Sequence, residues 1–311
     1  MKPTPPFVYT HRRITPQRHE ITFPSTRDTT TSAKEYDLLS KAKDNNAIHE
    51  KESQFHDEWA ADTRVEDVKV RETFESPTAL ENRWILREMG DLRGKSILDV
   101  GAGLGESSVY FALQGADVTC TDLSPGMVDF AERLAKRHGV EVRGKVTTAE
   151  QLDVDAGAYD FVYVANLMHH VTRRRDTFGA IHRALRPGGR FFTWDPLAYN
   201  PVINVYRKMA TDVRTDDESP LTFADVELAR TFFVDVQHRE FWVAALMLFL
   251  KYYAVDRVHP NADRYWKRIY RESARSLWWW RPLVGLDRAL TRLPLVRRLA
   301  WNMVLCGRKG D

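Results

Sequence analysis

The chain has 311 residues, a mass of 36.0 kDa and a formal net charge of +3, which excludes a small disulfide-stabilised domain. Apolar residues make up 43% of the sequence, enough for a sizeable core. The two cysteines, Cys120 and Cys306, lie in apolar strand-like runs, so we expect a reduced cytosolic protein. No apolar segment precedes Lys34, so no signal peptide is expected, and the longest apolar run, 241–250, is too short to span a bilayer.

The segment before the first predicted strand divides into a tail and a helical cap. Residues 1–45 are rich in threonine and proline and show no helical or alternating pattern, which predicts a disordered tail or one that folds over a partner subunit. Helical composition begins at 46–64, and a second helix is expected over 76–89, where Pro77 suits the first turn. We therefore expect an N-terminal helical cap over 46–94.

The clearest motif lies at 97–122. A short apolar run ends in Gly101-Ala102-Gly103-Leu104-Gly105, helically spaced residues follow, and a second apolar run ends on Asp122. This order is typical of a nucleotide-binding βαβ unit, in which glycines allow the sharp turn and the terminal acid accepts hydrogen bonds from ribose hydroxyls. Glu106 stands where the dinucleotide fingerprint requires Gly or Ala against the pyrophosphate, so a nicotinamide or flavin cofactor is disfavoured.

The pattern downstream continues as a doubly wound α/β sheet. Helices are expected at 123–139 and 174–185. The remaining strands are expected at 140–146, 159–165, 190–194, 232–241 and 301–307. The core then covers 95–243, and the last strand falls within 300–311.

The spacing of Asp99, Gly101, Gly103 and Gly105 resembles motif I of class I S-adenosylmethionine-dependent methyltransferases. Three further pieces, AEQL, ANLMHHV and LRPGGRF, extend the resemblance over about 95–195. The AEQL and LMHH pieces are most similar to small-molecule methyltransferases of the quinone-biosynthesis type, whereas nucleic-acid-methylating branches carry N/D-P-P-Y after the fourth strand. The resemblance implies a seven-stranded Rossmann-like sheet with an antiparallel last strand, and S-adenosylmethionine as the cofactor.

The resemblance also implies which residues bind the cofactor. The methionine part, the ribose, the adenine and its amine would each contact residues at matching positions. The methionine part would contact Asp99, Gly101, Ala102, Gly103 and Gly105, with Asn166 also at that side. Asp122 would bind the ribose, and Leu123 or Met127 would lie against the adenine. Glu150 or Gln151 would lie near the adenine amine.

Three residues are candidates for catalysis. His169 and His170 follow the fourth strand, at the edge where open α/β sheets bind ligands, and either is a general base or a packing residue. Asp195, just after the fifth strand, is a second candidate base, or alternatively a turn or capping residue. A base is needed only if the acceptor keeps its proton, because methyl transfer otherwise requires mainly alignment. No metal is expected, since no H-x-x-x-H, C-x-x-C or acid cluster accompanies the histidines.

Aromatic residues outside the core are expected to form the acceptor pocket. Trp59, in the His56-Asp57-Glu58-Trp59 stretch of the cap, either lines this pocket as part of a lid or belongs to the core. Tyr199, after the fifth strand, is a second candidate for the pocket wall. Such a wall favours an apolar or aromatic substrate.

A basic, mostly helical insertion is expected at 244–299, between strands six and seven. Residues 251–298 contain twelve Lys or Arg against four acidic residues, a net charge of +8. On a helical projection, four arginines share one face opposite aromatic residues, as on an interfacial membrane helix or on a solvated helix packed against a domain. These arginines are Arg264, Arg268, Arg271 and Arg275. The run Trp278-Trp279-Trp280 cannot face one core entirely, so one ring should meet substrate, lipid or another subunit.

Two functions remain open on this reading. The first is methyl transfer from S-adenosylmethionine to an apolar or aromatic small molecule, such as a natural product, a quinone or an isoprenoid lipid. The second is a non-catalytic module of the same fold that binds a membrane or nucleic acid through the basic insertion, although nucleic acid is an unlikely partner. A nicotinamide dehydrogenase is a remote third. We expect a cytoplasmic protein with possible peripheral membrane contact and a possible homo-oligomer.

Overall fold

The computed structural model describes the backbone of residues 29–210, 218–271 and 273–311, and the side chains of 46–210, 218–270 and 278–311. The chain divides into two units, residues 1–44 and 45–311, and all that follows concerns the second. Helix α1, Thr29–Asp62, starts within the predicted disordered tail. The helix therefore begins before residue 46, where the sequence predicted the cap to start, because Ala, Lys, Glu and Leu favour a helix even without an apolar stripe. Residues 1–28 of the predicted tail lie outside the described residues.

The core is a seven-stranded sheet in the order β3-β2-β1-β4-β5-β7-β6, with β7 antiparallel to both of its neighbours. The doubly wound sheet with an antiparallel last strand is therefore confirmed. The strands are β1 Ser96–Val100, β2 Asp117–Asp122, β3 Arg143–Val146, β4 Tyr159–Ala165, β5 Leu185–Pro196, β6 Val234–Phe241 and β7 Asn302–Arg308. The parallel strands β1, β2 and β4 end at one edge, which is where the functional side chains collect.

Helices cover both faces of the sheet. They are α2 Glu72–Glu75, α3 Leu80–Met89, α4 Glu106–Leu113, α5 Pro125–Arg137, α6 Arg174–Ala184, α7 Pro201–Met209 and α8 Phe223–Arg230. The helix predicted over 76–89 begins only at Leu80. Ser76 and Thr78 hydrogen-bond each other at 2.7 Å, and the Thr78 hydroxyl donates to the Ile269 carbonyl at 2.6 Å. These bonds hold residues 76–79 in a turn, because short hydroxyl side chains compete with helix formation.

The segment between β6 and β7 is helical, as expected. It contains α9 Met247–Leu250, a π-helical turn Lys251–Val255, α10 Tyr265–Arg271, α11 Ser273–Leu290 and a 3₁₀ turn Val296–Leu299. Asp287 fastens α11 to the end of β6 by accepting hydrogen bonds from the backbone N–H groups of Ala244 and Ala245. Trp280 donates to the Ala245 carbonyl at 3.2 Å. Among the helices described here, none combines the length and apolar character needed to cross a membrane.

The predicted arginine stripe does not form a solvent-facing surface at the two positions whose side chains are described. The Arg264 guanidinium lies 3.9 Å from the centroid of the Trp59 ring. Arg268 donates to Asp256 at 3.0 Å and lies over the Tyr252 ring. Both cations turn inward because acids and aromatic rings on neighbouring elements offer them partners. The side chains of 271 and 275 lie outside the described residues.

The tryptophan run separates as the sequence requires. Trp280 is 1% exposed and packs on Trp242 with ring centroids 5.3 Å apart, whereas Trp278 is 80% exposed. A large ring left this exposed is unusual for a solvated helix and indicates an interaction surface.

Candidate active site

A cavity of about 250 Å³ opens above the carboxyl ends of β1, β2 and β4. Helix α1 covers it with Glu52, His56 and Trp59, and α10 adds Trp266 and Lys267. A cavity above the carboxyl ends of parallel strands, covered by helices, is the usual ligand site of an open α/β sheet.

Most residues expected to bind the cofactor meet in this cavity. Its lining includes Asp99, Gly101, Ala102, Gly103, Asp122, Leu123, Glu150 and Asn166. Asp122 accepts hydrogen bonds from the backbone N–H groups of Gly103 and Ser124, each at 3.0 Å. Burial raises the pKa of Asp122, while the charge of His56 and these N–H donors lower it. The carboxylate is thus fixed at the end of β2 and can accept further bonds from a ribose diol.

The glycine turn is acidic, and this decides which cofactor fits. Asp99 is 1% exposed and accepts a hydrogen bond from the Ser108 hydroxyl at 2.6 Å. Burial is the main cause that raises the pKa of Asp99 to about 7, with the charges of Asp122 and Glu106 adding to it and the Ser108 hydrogen bond opposing it. Glu106 is paired with Lys267, so Asp99 and Asp122 are the carboxylates left to act on a ligand at this turn. Two buried carboxylates favour a cofactor that carries ammonium and sulfonium groups and disfavour a pyrophosphate. The residues therefore fit S-adenosylmethionine.

Three expected cofactor residues do not line the cavity. Gly105 has φ +83°, and a Cβ at this position would fall 2.5 Å from the Ala131 Cβ, so this glycine serves the packing of α4 on α5. Met127 is fully buried on the inner face of α5. Gln151 is exposed, and its neighbour Glu150 lines the cavity instead. Burial raises the pKa of Glu150, but the hydrogen bond and charge of His49, a backbone hydrogen bond and the charge of Arg173 together outweigh burial, so the pKa is lowered.

The histidine predicted as a base is held by a buried aspartate. His169 Nδ1 lies 2.7 Å from Asp195 Oδ1, and the His169 backbone N–H donates to the same oxygen at 3.1 Å. The Thr193 hydroxyl donates to Asp195 Oδ2 at 3.0 Å. Asp195 is 0% exposed and does not line the cavity, and it contacts His169, which does. Burial raises the pKa of Asp195 to about 7.

The second histidine is tied to the helix that covers the site. His170 Nδ1 lies 3.3 Å from Glu52 Oε1, and Glu52 Oε2 lies 3.6 Å from His56 Nε2. The rings of His169 and His170 are 4.2 Å apart. The spacing of His49, Glu52 and His56 along α1 places all three on one helix face, a pattern that is visible in the sequence but was not among the predicted sites.

Two further charged residues at the cavity were not anticipated. Arg207 donates to Glu218 Oε2 at 3.0 Å, and Glu218 Oε2 lies 3.9 Å from His169 Nε2. Burial lowers the pKa of Arg207 to about 10. His169, His170 and Glu218 have potential ligand atoms within 4.8 Å of one another, a grouping that could hold a metal ion. The Arg207 charge on Glu218 opposes a cation at that carboxylate.

The remaining wall is aromatic. It comprises Phe55, Trp59, Tyr206, Trp266, Tyr270 and Trp301. Trp59 is thus placed where the sequence suggested. Tyr199, in contrast, does not line the cavity. Its hydroxyl accepts a hydrogen bond from the Phe223 N–H at 3.2 Å, and its ring stacks on Phe223.

Helix α1 is bound to the loop that follows β2. Asp57 accepts hydrogen bonds from the Ser124 hydroxyl at 2.5 Å and from the Gly126 N–H at 2.8 Å. The Ser53 hydroxyl donates to the Leu123 carbonyl at 3.3 Å. The cover of the cavity and the ribose end of the cofactor site are therefore mechanically connected.

The sheet order and the acidic glycine turn define a class I S-adenosylmethionine-dependent methyltransferase. Comparison with known proteins agrees, since residues 98–193 match the family profile described as "Methyltransferase domain". Residues 98–193 thus carry a methyltransferase domain of this kind, and the cavity that they line fits S-adenosylmethionine.

Relatives of known sequence match less than half of this chain. A ubiquinone biosynthesis O-methyltransferase of Bordetella avium is 35% identical over 127 residues, which cover 40% of this chain and 52% of that protein. An uncharacterised protein of Mycobacterium tuberculosis is 32% identical over 127 residues, 40% of this chain and 44% of that protein. The chain spans about half the length of the curated relatives it matches.

Solved structures share the fold at low sequence identity. The phosphoethanolamine N-methyltransferase 2 of Haemonchus contortus gives a TM-score of 0.52 at 18% identity, over 75% of this chain and 53% of that one. A putative sarcosine dimethylglycine methyltransferase of Galdieria sulphuraria gives 0.52 at 16% identity, over 79% and 90%.

Proposed function

We propose that this protein transfers a methyl group from S-adenosylmethionine to a hydroxyl oxygen of an apolar or aromatic small molecule, with His169 as the general base. The observation that carries this is the bond of 2.7 Å between His169 Nδ1 and the buried Asp195. An ionised Asp195 keeps the proton on Nδ1, so Nε2 is the nitrogen that can accept one. A hydroxyl acceptor must lose its proton, whereas a neutral amine can attack first and lose a proton later.

The cofactor supplies a methyl group already activated by its sulfonium. Asp99 and Asp122 hold the two ends of that molecule, and the aromatic wall excludes water and positions the acceptor. As the oxygen–methyl bond forms and the sulfur–methyl bond breaks, the hydroxyl proton passes to His169 Nε2. Asp195 stabilises the imidazolium that results.

The similarity to ubiquinone biosynthesis O-methyltransferases supports an oxygen acceptor, and the aromatic wall supports a quinone-like, isoprenoid or other lipophilic natural product. The two cysteines are free and buried, which supports a reducing, cytoplasmic setting. A role in secondary metabolism is part of the same proposal. The alternative function, a non-catalytic binding module, does not explain the His169–Asp195 pair beside the cofactor residues.

The test is incubation of the purified chain with S-adenosylmethionine and matched phenols, anilines and enolisable carbon acids that share one apolar skeleton. We expect a mass gain of one methyl group on the phenol alone, and no effect of EDTA. Loss of activity with EDTA would contradict the general-base mechanism and favour a metal ion bound by His169, His170 and Glu218. Transfer to the amine or carbon only would overturn the oxygen acceptor, and cofactor binding without transfer to any member would favour the non-catalytic module.

A further inference from the structure

A second concave feature lies away from the active site, between α3, β6 and α11. This groove has a volume of about 810 Å³. Its floor is apolar and includes Phe74, Trp242 and Trp280, all of them buried. Its walls carry five arginines: Arg83 and Arg87 from α3, Arg239 from β6, and Arg281 and Arg288 from α11.

Among the described residues, none of these five guanidinium groups forms an ion pair with a carboxylate. The carboxylates that line the groove already have other partners. Glu75 binds Arg71 at 3.0 Å, and Glu240 binds His238 at 2.5 Å. Asp287 is occupied by the backbone N–H groups at the end of β6. The groove lining therefore carries five arginines against three carboxylates, an excess of positive charge with no direct ion pair to these arginines among the described residues.

The arginines also act on one another. Burial lowers the pKa of Arg239, as do the charges of Arg87 and Arg288, and the charges of Glu88 and Glu240 oppose this only in part. Its guanidinium lies over the rings of Trp84 and Phe241 rather than against an acid. Holding like charges together costs free energy, which an anion in the groove would recover.

The solvent-facing side of α11 continues the groove as an apolar ridge. Trp278 is 80% exposed and Leu286 is 48% exposed, with Pro282 between them also exposed. The turn after α11 adds Leu293 at 53% and Leu295 at 80% exposure. On the helix, Arg281 and Arg288 flank this ridge. Exposed apolar side chains bordered by arginines match the two layers of a lipid surface, its acyl boundary and its anionic headgroups.

The observations favour a lipid over two other occupants. The tail of this chain carries Lys2, Arg12, Arg13, Arg18 and Arg27 against Glu20 and Asp28 up to residue 28, so its charge has the same sign as the groove. A nucleic acid would meet the arginines but would leave the ridge of Trp278, Leu286 and Leu295 in water. We propose that this surface docks on a membrane that contains anionic phospholipids, with phosphate headgroups bound by the arginine groove.

The experiment is co-sedimentation of the full chain with phosphatidylglycerol-containing vesicles and with pure phosphatidylcholine vesicles. The test variant is Arg87→Gln/Arg281→Gln/Arg288→Gln. The control, Arg133→Gln/Arg137→Gln/Arg183→Gln, removes the same charge from exposed positions on α5 and α6. We expect native protein and control to bind only anionic vesicles, and the test variant to bind about 100-fold more weakly, since each arginine at such a surface contributes about fivefold. Trp278→Ala should weaken binding to anionic vesicles as well.

Three results would overturn the proposal: equal sedimentation with neutral vesicles, equal loss in test and control variants, or tight binding of duplex DNA with none of vesicles. Inorganic phosphate that saturates the protein and leaves vesicle binding unchanged would also exclude the groove as the headgroup site. Unchanged melting temperature and unchanged cofactor affinity by calorimetry would show that the variants are folded.

Discussion

Asp195→Asn isolates the charge of the buried aspartate from its geometry. The amide oxygen can still accept from His169 Nδ1 and from the His169 backbone N–H, while the amide NH₂ faces the Thr193 hydroxyl, which can accept. The imidazole should therefore keep its orientation and tautomer. Only the negative charge next to it disappears.

The magnitude follows from the distance. Two unit charges about 4 Å apart, which approximates the ring and the carboxylate, interact by about 4 kcal/mol at an effective dielectric constant of 20. About half of the proton has been transferred in the transition state, so about 2 kcal/mol of its stabilisation is lost. We expect kcat to fall about 30-fold, with a larger fall, about 10²-fold or more, for His169→Ala.

The pH dependence gives a second readout. Because burial raises the pKa of Asp195 to about 7, native kcat should decline below pH 7 as the carboxylate is protonated. The asparagine variant should lack that part of the decline. For stability the sign is opposite: the folded state binds this proton more tightly than the unfolded chain, so ionisation destabilises the native fold as pH rises from about 4 towards 7. The variant should therefore gain thermal stability relative to the native protein over that window.

The assay is kcat and KM for S-adenosylmethionine on both sides of pH 7, together with melting temperatures, for native protein, Asp195→Asn, His169→Ala and His170→Ala. The KM of the cofactor should change little. Turnover within about threefold of native in both Asp195→Asn and His169→Ala would refute the base mechanism and leave the pair a packing role.

Two further predictions test the cofactor turn. Asp122→Ala should weaken S-adenosylhomocysteine binding by roughly 1.5–3 kcal/mol in calorimetry, because it removes a charged acceptor of ribose bonds, and tight NAD binding by the native chain would contradict the cofactor assignment. Gly105→Ala should lower the free energy of unfolding by about 2–4 kcal/mol, since the new Cβ would lie 2.5 Å from the Ala131 Cβ at φ +83°. Gly139→Ala is its control, with φ +70° and no atom within 4 Å, and an equal loss there would assign the whole effect to backbone strain.

The core could be read from the sequence because its signals are local. The seven-residue strand β4 is apolar except for Asp160, and Asp99 and Asp122 stand at fixed distances from the glycine turn. The acceptor side could not be read in the same way. Glu218 lies next to His169, and Arg207 lies next to Glu218, because of how the chain folds back after β5. No periodic pattern in the sequence predicts these contacts.

The helical projection of the insertion failed for a related reason. A projection assigns Arg264 and Arg268 to one face but contains no information about what lies opposite that face. Trp59 and Asp256 lie there in the folded chain, on other elements, and they turn both cations inward. The exposed arginines Arg281 and Arg288 on α11 were not part of the predicted arginine stripe. Of the residues singled out in the sequence, Trp278 is the one that lies on this exposed surface.

The hydrogen bonds of Asp57 impose an order of events on each catalytic cycle. The same helix that carries Glu52 and Trp59 over the acceptor also grips Ser124 and Gly126, next to the ribose-binding Asp122. A spent cofactor cannot leave through this cover until those bonds break, and a fresh one cannot be sealed in until they reform. Closure of the site and exchange of the cofactor thus depend on the same hydrogen bonds of Asp57. A substitution that strengthens these bonds should both tighten cofactor binding and slow the release of S-adenosylhomocysteine.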